Sequence, residues 1–174
     1  QFSCDSMLLY QLTGVNLQGI MAERDANREV NGMAVQYLND VNRDQCIGCF
    51  SCMYACSRMV RNAGGSGKAA LRVKGYAGVE GAFSIRVCAR CEDPDCAKAC
   101  PTGALTPAPN GGVRLKKDLC ISCGACVKAC AISALQWDEE ERQPIPCIFC
   151  GQCVKYCPND VLAMTEKPEG EDRR

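Results

Sequence analysis

The sequence predicts an α+β fold assembled from small repeated units, and three observations carry that expectation. Sixteen of the seventeen cysteines fall into four short quartets. Short apolar stretches that read as strands lead into and out of these quartets, and short helical stretches sit at their last cysteines. Aromatic content is low, with four Phe, five Tyr and one Trp, so a purely hydrophobic core would be thin for 174 residues.

The quartets carry the chemistry. Cys46, Cys49, Cys52 and Cys56 follow C-x2-C-x2-C-x3-C, a spacing repeated at Cys120, Cys123, Cys126 and Cys130 and at Cys147, Cys150, Cys153 and Cys157. A looser copy, C-x2-C-x4-C-x3-C, lies at Cys88, Cys91, Cys96 and Cys100. Three thiolates at steps of three residues wrap one face of an iron–sulfur cube, while the fourth points towards another cube. All sixteen are therefore candidate iron ligands, and four quartets imply four [4Fe–4S] clusters. Such a chain relays electrons and needs no catalytic acid, base or nucleophile of its own.

Competing uses of so many cysteines fit less well. A disulfide scaffold would leave an odd thiol among seventeen, and two adjacent C-x2-C steps crowd three thiols into one loop. Structural zinc takes two C-x2-C pairs with a longer spacer between them, and here the third cysteine comes too soon. There is no histidine, which excludes Rieske centres, His-ligated haem and Cys2His2 zinc. Folding should be coupled to cluster insertion, since the clusters supply part of the core.

Formal charge is zero, with twenty basic and twenty acidic residues. Counting about −2 for each thiolate-ligated cluster brings the loaded protein to about −8, so many basic residues offset cluster charge. Nothing in this balance suggests nucleic-acid binding. No apolar run is long enough to span a bilayer, so no membrane association is expected. No leader segment is recognisable, and clusters of this kind are built under reducing conditions, which points to the cytoplasm.

Along the chain, residues 1–43 read as an N-terminal extension that is partly helical. Residues 2–21 are apolar but interrupted by Gly14 and Gly19, as in a wrapping segment. Val30, Met33, Ala34, Tyr37, Leu38 and Val41 recur at helical spacing, predicting a helix from about Asn27 to Val41. That stripe packs on the chain's own body, or else docks a large subunit or a second copy of this chain. Cys4 lies outside every quartet and reads as a spare thiol, with an extra ligand or an intermolecular bridge as alternatives.

The body runs over residues 44–166. Gly64–Lys68 is a flexible connection rather than a phosphate loop, because Asn62 occupies the first glycine position and Ala69 replaces the hydroxyl residue. Strands are expected at Ile85–Val87, Ala104–Thr106, Val113–Leu119, Ala134–Trp137 and Val161–Thr165. Helices are expected near Asp95–Ala99 and Gly124–Ala131, and a hairpin turn at Asn110, Gly111 and Gly112. Residues 167–174 are charged and are expected to form a disordered tail. Arg86, Arg90, Lys116 and Lys117 flank cysteine loops and either raise nearby potentials or are solvated surface charges.

The sequence Cys-Ile-Ser-Cys-Gly-Ala-Cys-Val-Lys-Ala-Cys at 120–130 resembles a bacterial two-cluster ferredoxin motif, as does Cys-Ile-Phe-Cys-Gly-Gln-Cys-Val-Lys-Tyr-Cys-Pro at 147–158. The stretch from Cys88 to Ala104 resembles the second motif of four-cluster small subunits that accompany molybdenum and tungsten pterin enzymes. The resemblance implies two bacterial ferredoxin-like units. Small subunits of the dimethyl-sulfoxide-reductase type usually stretch the fourth motif, whereas quartet four is compact here. The chain therefore looks more like polyferredoxin subunits of tungsten aldehyde oxidoreductases or of the related benzoyl-CoA reductases. Proline usually follows the last cysteine, as at Pro101 and Pro158, but Ser57 and Ala131 stand there in quartets one and three.

The resemblance also implies a wiring in which motif one pairs with four and motif two with three. Cys46, Cys49, Cys52 and Cys157 would then hold one cluster, and Cys147, Cys150, Cys153 and Cys56 its neighbour. Cys88, Cys91, Cys96 and Cys130 would hold a third, and Cys120, Cys123, Cys126 and Cys100 the fourth. Sequential pairing, one with two and three with four, is the alternative. The implied partners are a large tungsto- or molybdopterin catalytic subunit, with a flavin subunit or soluble ferredoxin as acceptor. A free polyferredoxin, or one that self-associates through residues 1–43, is the reading from other classes.

Overall fold

The computed structural model describes residues 35–166. Cys4, the segment 2–21, the part of the expected helix before residue 35 and the tail 167–174 lie outside the described residues. Within them, short helices alternate with four two-stranded antiparallel ladders, an α+β arrangement.

The first strand, β1 (Gln36–Asp40), corrects the expected helix. It pairs with the last strand, β8 (Leu162–Glu166), so that Leu38 stands opposite Met164 and Asn39 opposite Thr165. Tyr37 and Leu38 are buried because the strand is covered by the body, whose start therefore precedes residue 44. The same apolar residues that satisfied a helical period also satisfy a short strand, and a distant partner decided between them.

Of the other elements, those near Ile85, Asp95, Ala104, Val113, Gly124, Ala134 and Val161 match the sequence reading, whereas those at Ser51–Arg61, Arg72–Gly75 and Gln152–Lys155 were not expected. Helix α1 (Ser51–Arg61) runs through the end of quartet one and buries Cys52, Met53, Ala55, Cys56 and Ser57. It stops at left-handed Asn62, whose N–H bonds the carbonyls of Ser57 and Arg58, as helix ends commonly do. Strands β2 (Arg72–Gly75) and β3 (Phe83–Arg86) form a hairpin, followed by α2 (Asp95–Lys98) in quartet two. Strands β4 (Leu105–Pro107) and β5 (Val113–Leu115) flank the turn at Asn110, Gly111 and Gly112. Then come α3 (Ala125–Ala129), the hairpin of β6 (Gln136–Asp138) and β7 (Gln143–Ile145), and α4 (Gln152–Lys155).

The strand expected over Val113–Leu119 ends at Leu115, because Lys117–Leu119 tightens into a 3-10 turn that delivers Cys120. Arg43–Gln45 delivers Cys46 in the same way, and the N–H of each cysteine bonds the carbonyl three residues back at 3.1 Å. Strand β7 was not expected, since it is three residues long and contains Pro144.

Two apolar cores result. One gathers Leu38, Met53, Leu71, Val73, Ile85 and Leu162 around Cys52, Cys56 and Cys153, and α1 packs on α4 there. The smaller one gathers Ala97, Leu105, Val113 and Leu135 around Cys126, with α2 packed on α3. Ile145 of β7 is fully buried in the first core although its hairpin follows the second. Polar ties accompany it: the buried Arg61 and Asp138 form an ion pair at 3.6 Å, and Arg61 also donates to the Pro144 carbonyl at 3.1 Å. Asp138 accepts the N–H groups of Glu140 and Glu141 at 3.1 Å, and Lys68 meets Glu140 at 2.6 Å. No helix among the described residues is long and apolar enough to cross a membrane.

Arg61→Leu leaves the Asp138 carboxylate buried without its cation, a loss on the order of 3–5 kcal/mol. The expected outcome is a clearly lowered midpoint in anaerobic guanidinium unfolding followed by circular dichroism. The exposed neighbour Arg58→Leu should change that midpoint little.

Candidate metal centres

Each quartet presents its thiols from a tight loop that enters a short helix, and the loops share one backbone device. The residue just before the second cysteine is left-handed in all four: Gly48 at φ +66°, Arg90 at +57°, Ser122 at +58° and Phe149 at +52°. Three of the four are not glycine, an uncommon backbone state that surrounding contacts must hold in place. Gly48 has a steric reason as well, since a Cβ there would lie 2.3 Å from the Phe83 ring.

The sixteen candidate ligands converge in four groups. Cys46, Cys49, Cys52 and Cys157 line one hollow. Cys56, Cys147, Cys150 and Cys153 line a second, which Cys88 also reaches. Cys88, Cys91, Cys96 and Cys130 line a third, as does Cys147. Cys100, Cys120, Cys123 and Cys126 line the fourth. In every hollow, the fourth cysteine of one quartet faces the first three of another.

Among the described residues, no three His, Cys, Asp or Glu side chains come close enough together to hold one metal ion. Tetrahedral zinc needs four donors at about 2.3 Å from a single point, whereas thiols spread around a hollow suit an object of cluster size. Apolar side chains supply much of the remaining lining, with Val73, Ile85 and Leu162 in the first hollow and Leu38, Val60 and Leu71 in the second, while Asp93 and Asp95 reach the third.

Backbone donors complete each site. The N–H groups of Ala70, Leu105, Ala134 and Val161 point at the Sγ of Cys56, Cys100, Cys130 and Cys157, at 3.3, 3.4, 3.4 and 3.3 Å. Phe149 N–H points at Cys147 Sγ at 3.4 Å. Donors of this kind stabilise sulfur charge and tune the potential of a bound cluster. Sequence reasoning had no signal for them, because every residue type carries the group and only folding aims it.

Electrostatics show what the thiols lack on their own. Burial, then the charge of Cys157, pushes the Cys52 thiol up to about 12. Burial and Cys130 do the same to Cys96, and burial and Cys56 to Cys153, both up to about 12. Burial drives Cys88 up to about 11 and Cys147 well above its ordinary value. Four thiolates in one hollow repel one another, and a cationic iron–sulfur core supplies the missing counter-charge when bound.

Of the flanking bases, Lys117 pairs with Glu141 at 3.2 Å, while Arg86 and Lys116 are exposed. Arg90 is different, lying over the Phe149 ring with its guanidinium carbon 4.5 Å from the centroid.

Residues 119–162, which span quartets three and four, match the family model described as a 4Fe-4S dicluster domain. The chain is 34% identical over 131 residues to a subunit of tetrathionate reductase from Archaeoglobus fulgidus, covering 74% of this chain and 60% of that protein. It is 32% identical over 119 residues to one of the chains of anaerobic dimethyl sulfoxide reductase from Escherichia coli, covering 62% and 58%. It is 32% identical over 106 residues to the thiosulfate reductase electron transfer subunit of Salmonella typhi, covering 58% and 55%. The chain thus spans at most 60% of the length of these relatives. Together, the matched domain and the thiol-lined hollows support binding of [4Fe–4S] clusters. That these relatives are named as parts of reductases, one of them for electron transfer, agrees with a relay that has no catalytic site of its own.

Raised thiol values set the pH response. They favour the neutral thiol in the metal-free fold, so its stability is present below the ordinary value of 9.0 and lost as pH rises towards 12. Loading runs the opposite way, because each thiol gives up a proton to bind iron. Anaerobic reconstitution at pH 7 should therefore release protons, measurable with a pH indicator, and cluster uptake should weaken as pH falls.

Proposed function

We propose that this chain is the electron-relay subunit of a molybdenum- or tungsten-pterin oxidoreductase, carrying four [4Fe–4S] clusters in two ferredoxin-like units. The observation that carries this reading is the grouping of sixteen thiols into four hollows, each closed by a cysteine from a different quartet. The wiring is nested. Cys46, Cys49, Cys52 and Cys157 hold one cluster and Cys147, Cys150, Cys153 and Cys56 the next. Cys88, Cys91, Cys96 and Cys130 hold the third and Cys120, Cys123, Cys126 and Cys100 the last. When bound, these clusters exchange single electrons. The protein's part is to hold them in a row and aim N–H donors at the sulfurs.

The order of the row is supported by neighbouring thiols. Cys153 feels the charge of Cys52, which joins the first two hollows, and Cys88 and Cys147 each reach the other's hollow, which joins the second to the third. Thr102, beside Cys100, donates to the Leu119 carbonyl at 2.7 Å and ties the last hollow to quartet two.

For the catalytic partner, the relatives' names favour a reductase of the dimethyl-sulfoxide-reductase kind. The compact quartet four favours a tungsten aldehyde oxidoreductase as the second reading. A flavin subunit or soluble ferredoxin serves as the other redox partner, and reducing cluster assembly favours the cytoplasm. Anaerobic native purification with elemental analysis separates these readings: about sixteen irons per chain are expected, with molybdenum or tungsten in a co-eluting larger chain naming the branch. Sixteen irons without a pterin metal would indicate a free or self-associating polyferredoxin, and zinc in place of iron would overturn the reading.

The wiring has its own test. Under nesting, Cys46→Ala and Cys157→Ala abolish or convert the same cluster in electron paramagnetic resonance. Under sequential pairing they strike different ones.

A further inference from the structure

Three of the four quartets end in the same turn. The third residue after the last cysteine is left-handed in each: Gly103 at φ +64°, Ser133 at +50° and Asp160 at +47°. Quartet one has no such turn, because α1 runs on through Cys56 to Arg61. The residue just before the left-handed one is Thr102, Ile132 or Asn159. Two of these side chains make the same bond. Thr102 Oγ1 donates to the Leu119 carbonyl at 2.7 Å, and Asn159 Nδ2 donates to the Gln45 carbonyl at 2.7 Å.

Both acceptors stand at one place in the pattern. Leu119 and Gln45 close the two 3-10 turns and come immediately before Cys120 and Cys46, the first cysteines of the facing quartets. Thr102 lines the fourth hollow, and Asn159 and Gln45 line the first. These hollows contain Cys123 and Cys49, the two exposed cysteines among the described residues. Ile132 lines the third hollow and has no donor to offer, and none of the cysteines there is exposed. The Thr102 hydroxyl also lies 3.7 Å from Cys100 Sγ, but its one proton is committed to Leu119 in the shorter contact.

We propose that Thr102 and Asn159 are positioning residues that latch shut the two end clusters, the ones with a ligand open to solvent. Each latch bridges the same two chain segments that the cluster joins. The parting of quartets that releases an end cluster therefore also breaks its latch. The third hollow, whose ligands are covered, goes without one. This rests on the nested four-cluster reading above.

The test holds loaded wild type, T102V, T102S and N159L anaerobically with a ferrous-iron chelator and follows iron release by absorbance. Surviving clusters are read by electron paramagnetic resonance after dithionite reduction, with signals assigned from Cys46→Ala and Cys120→Ala. T102V loses the cluster of the fourth hollow about fivefold faster than wild type, the order of effect of one side-chain hydrogen bond, and the other three stay within about twofold. N159L does the same to the first hollow alone, and T102S, which keeps the hydroxyl, stays within about twofold throughout. A variant that purifies one cluster short supports the proposal if the missing cluster is the one it latches, and overturns it otherwise. Unchanged release in T102V or in N159L overturns it, as do equal acceleration of all four clusters or a T102S as fast as T102V. A T102V that shifts only the potential of the fourth cluster shows the hydroxyl serving Cys100, and overturns it too. A wild type without four clusters, or Cys46→Ala and Cys157→Ala striking different clusters, would instead sink the proposed function, so the two failures are distinguishable.

Discussion

Burial of cysteine sulfurs in the hollows, with repulsion between neighbouring thiolates added to it, is the constraint from which the rest of the fold follows. Burial and neighbouring sulfurs both disfavour the thiolates that iron needs. Only a cationic core in the hollow reverses that cost, so metal and fold stabilise each other. This explains how so little apolar material suffices. The second core rests on Ala97, Leu105, Val113, Cys126 and Leu135, and no ladder among the described residues has more than two strands. Isolated two-stranded hairpins are marginal in water, and here each one leans on a thiol-lined hollow.

The same constraint accounts for how the two cores are joined. Hollows closed by cysteines from two different quartets need their loops held at fixed separation, and a flexible linker between two small units would not hold them. Ile145 enters the first core from a hairpin that follows the second, while Arg61 reaches across to Asp138 and Pro144. Arg72 adds a bond from its Nε to the Gln136 side chain at 3.0 Å. A rare buried ion pair is spent at the place where relative motion would matter most.

Much of this was legible in the sequence because cysteine spacing is itself a geometric statement. The turn at Asn110, Gly111 and Gly112 and the helices at Asp95 and Gly124 follow from local rules, and the structure bears them out. What remained hidden depended on distant partners. Tyr37 and Leu38 satisfied a helical period, but pairing with residues 162–166 made them a strand. Spacing alone left nested and sequential wiring open, because each quartet's fourth thiol has no local reason to choose a companion. The N–H donors at Ala70 and Val161 were invisible for the same reason. Arg90 stood out only as a charge near cysteines, and its stacking on Phe149 required the two loops to meet.

The ladder between β1 and β8 joins residues 126 positions apart, as in the bond between the side chains of Asn39 and Thr165. A chain emerging from the ribosome therefore completes the inner hairpins and their hollow while the outer ladder still lacks its second strand. Cys157 is the last of the sixteen to be made, so the hollow that holds Cys46 closes after the other three. Long-range closure of this kind is slow, and it leaves the first quartet's thiols exposed to oxidants for longer than any others. The hollows of this body therefore close in an ordered succession, those between quartets two and three before those between quartets one and four.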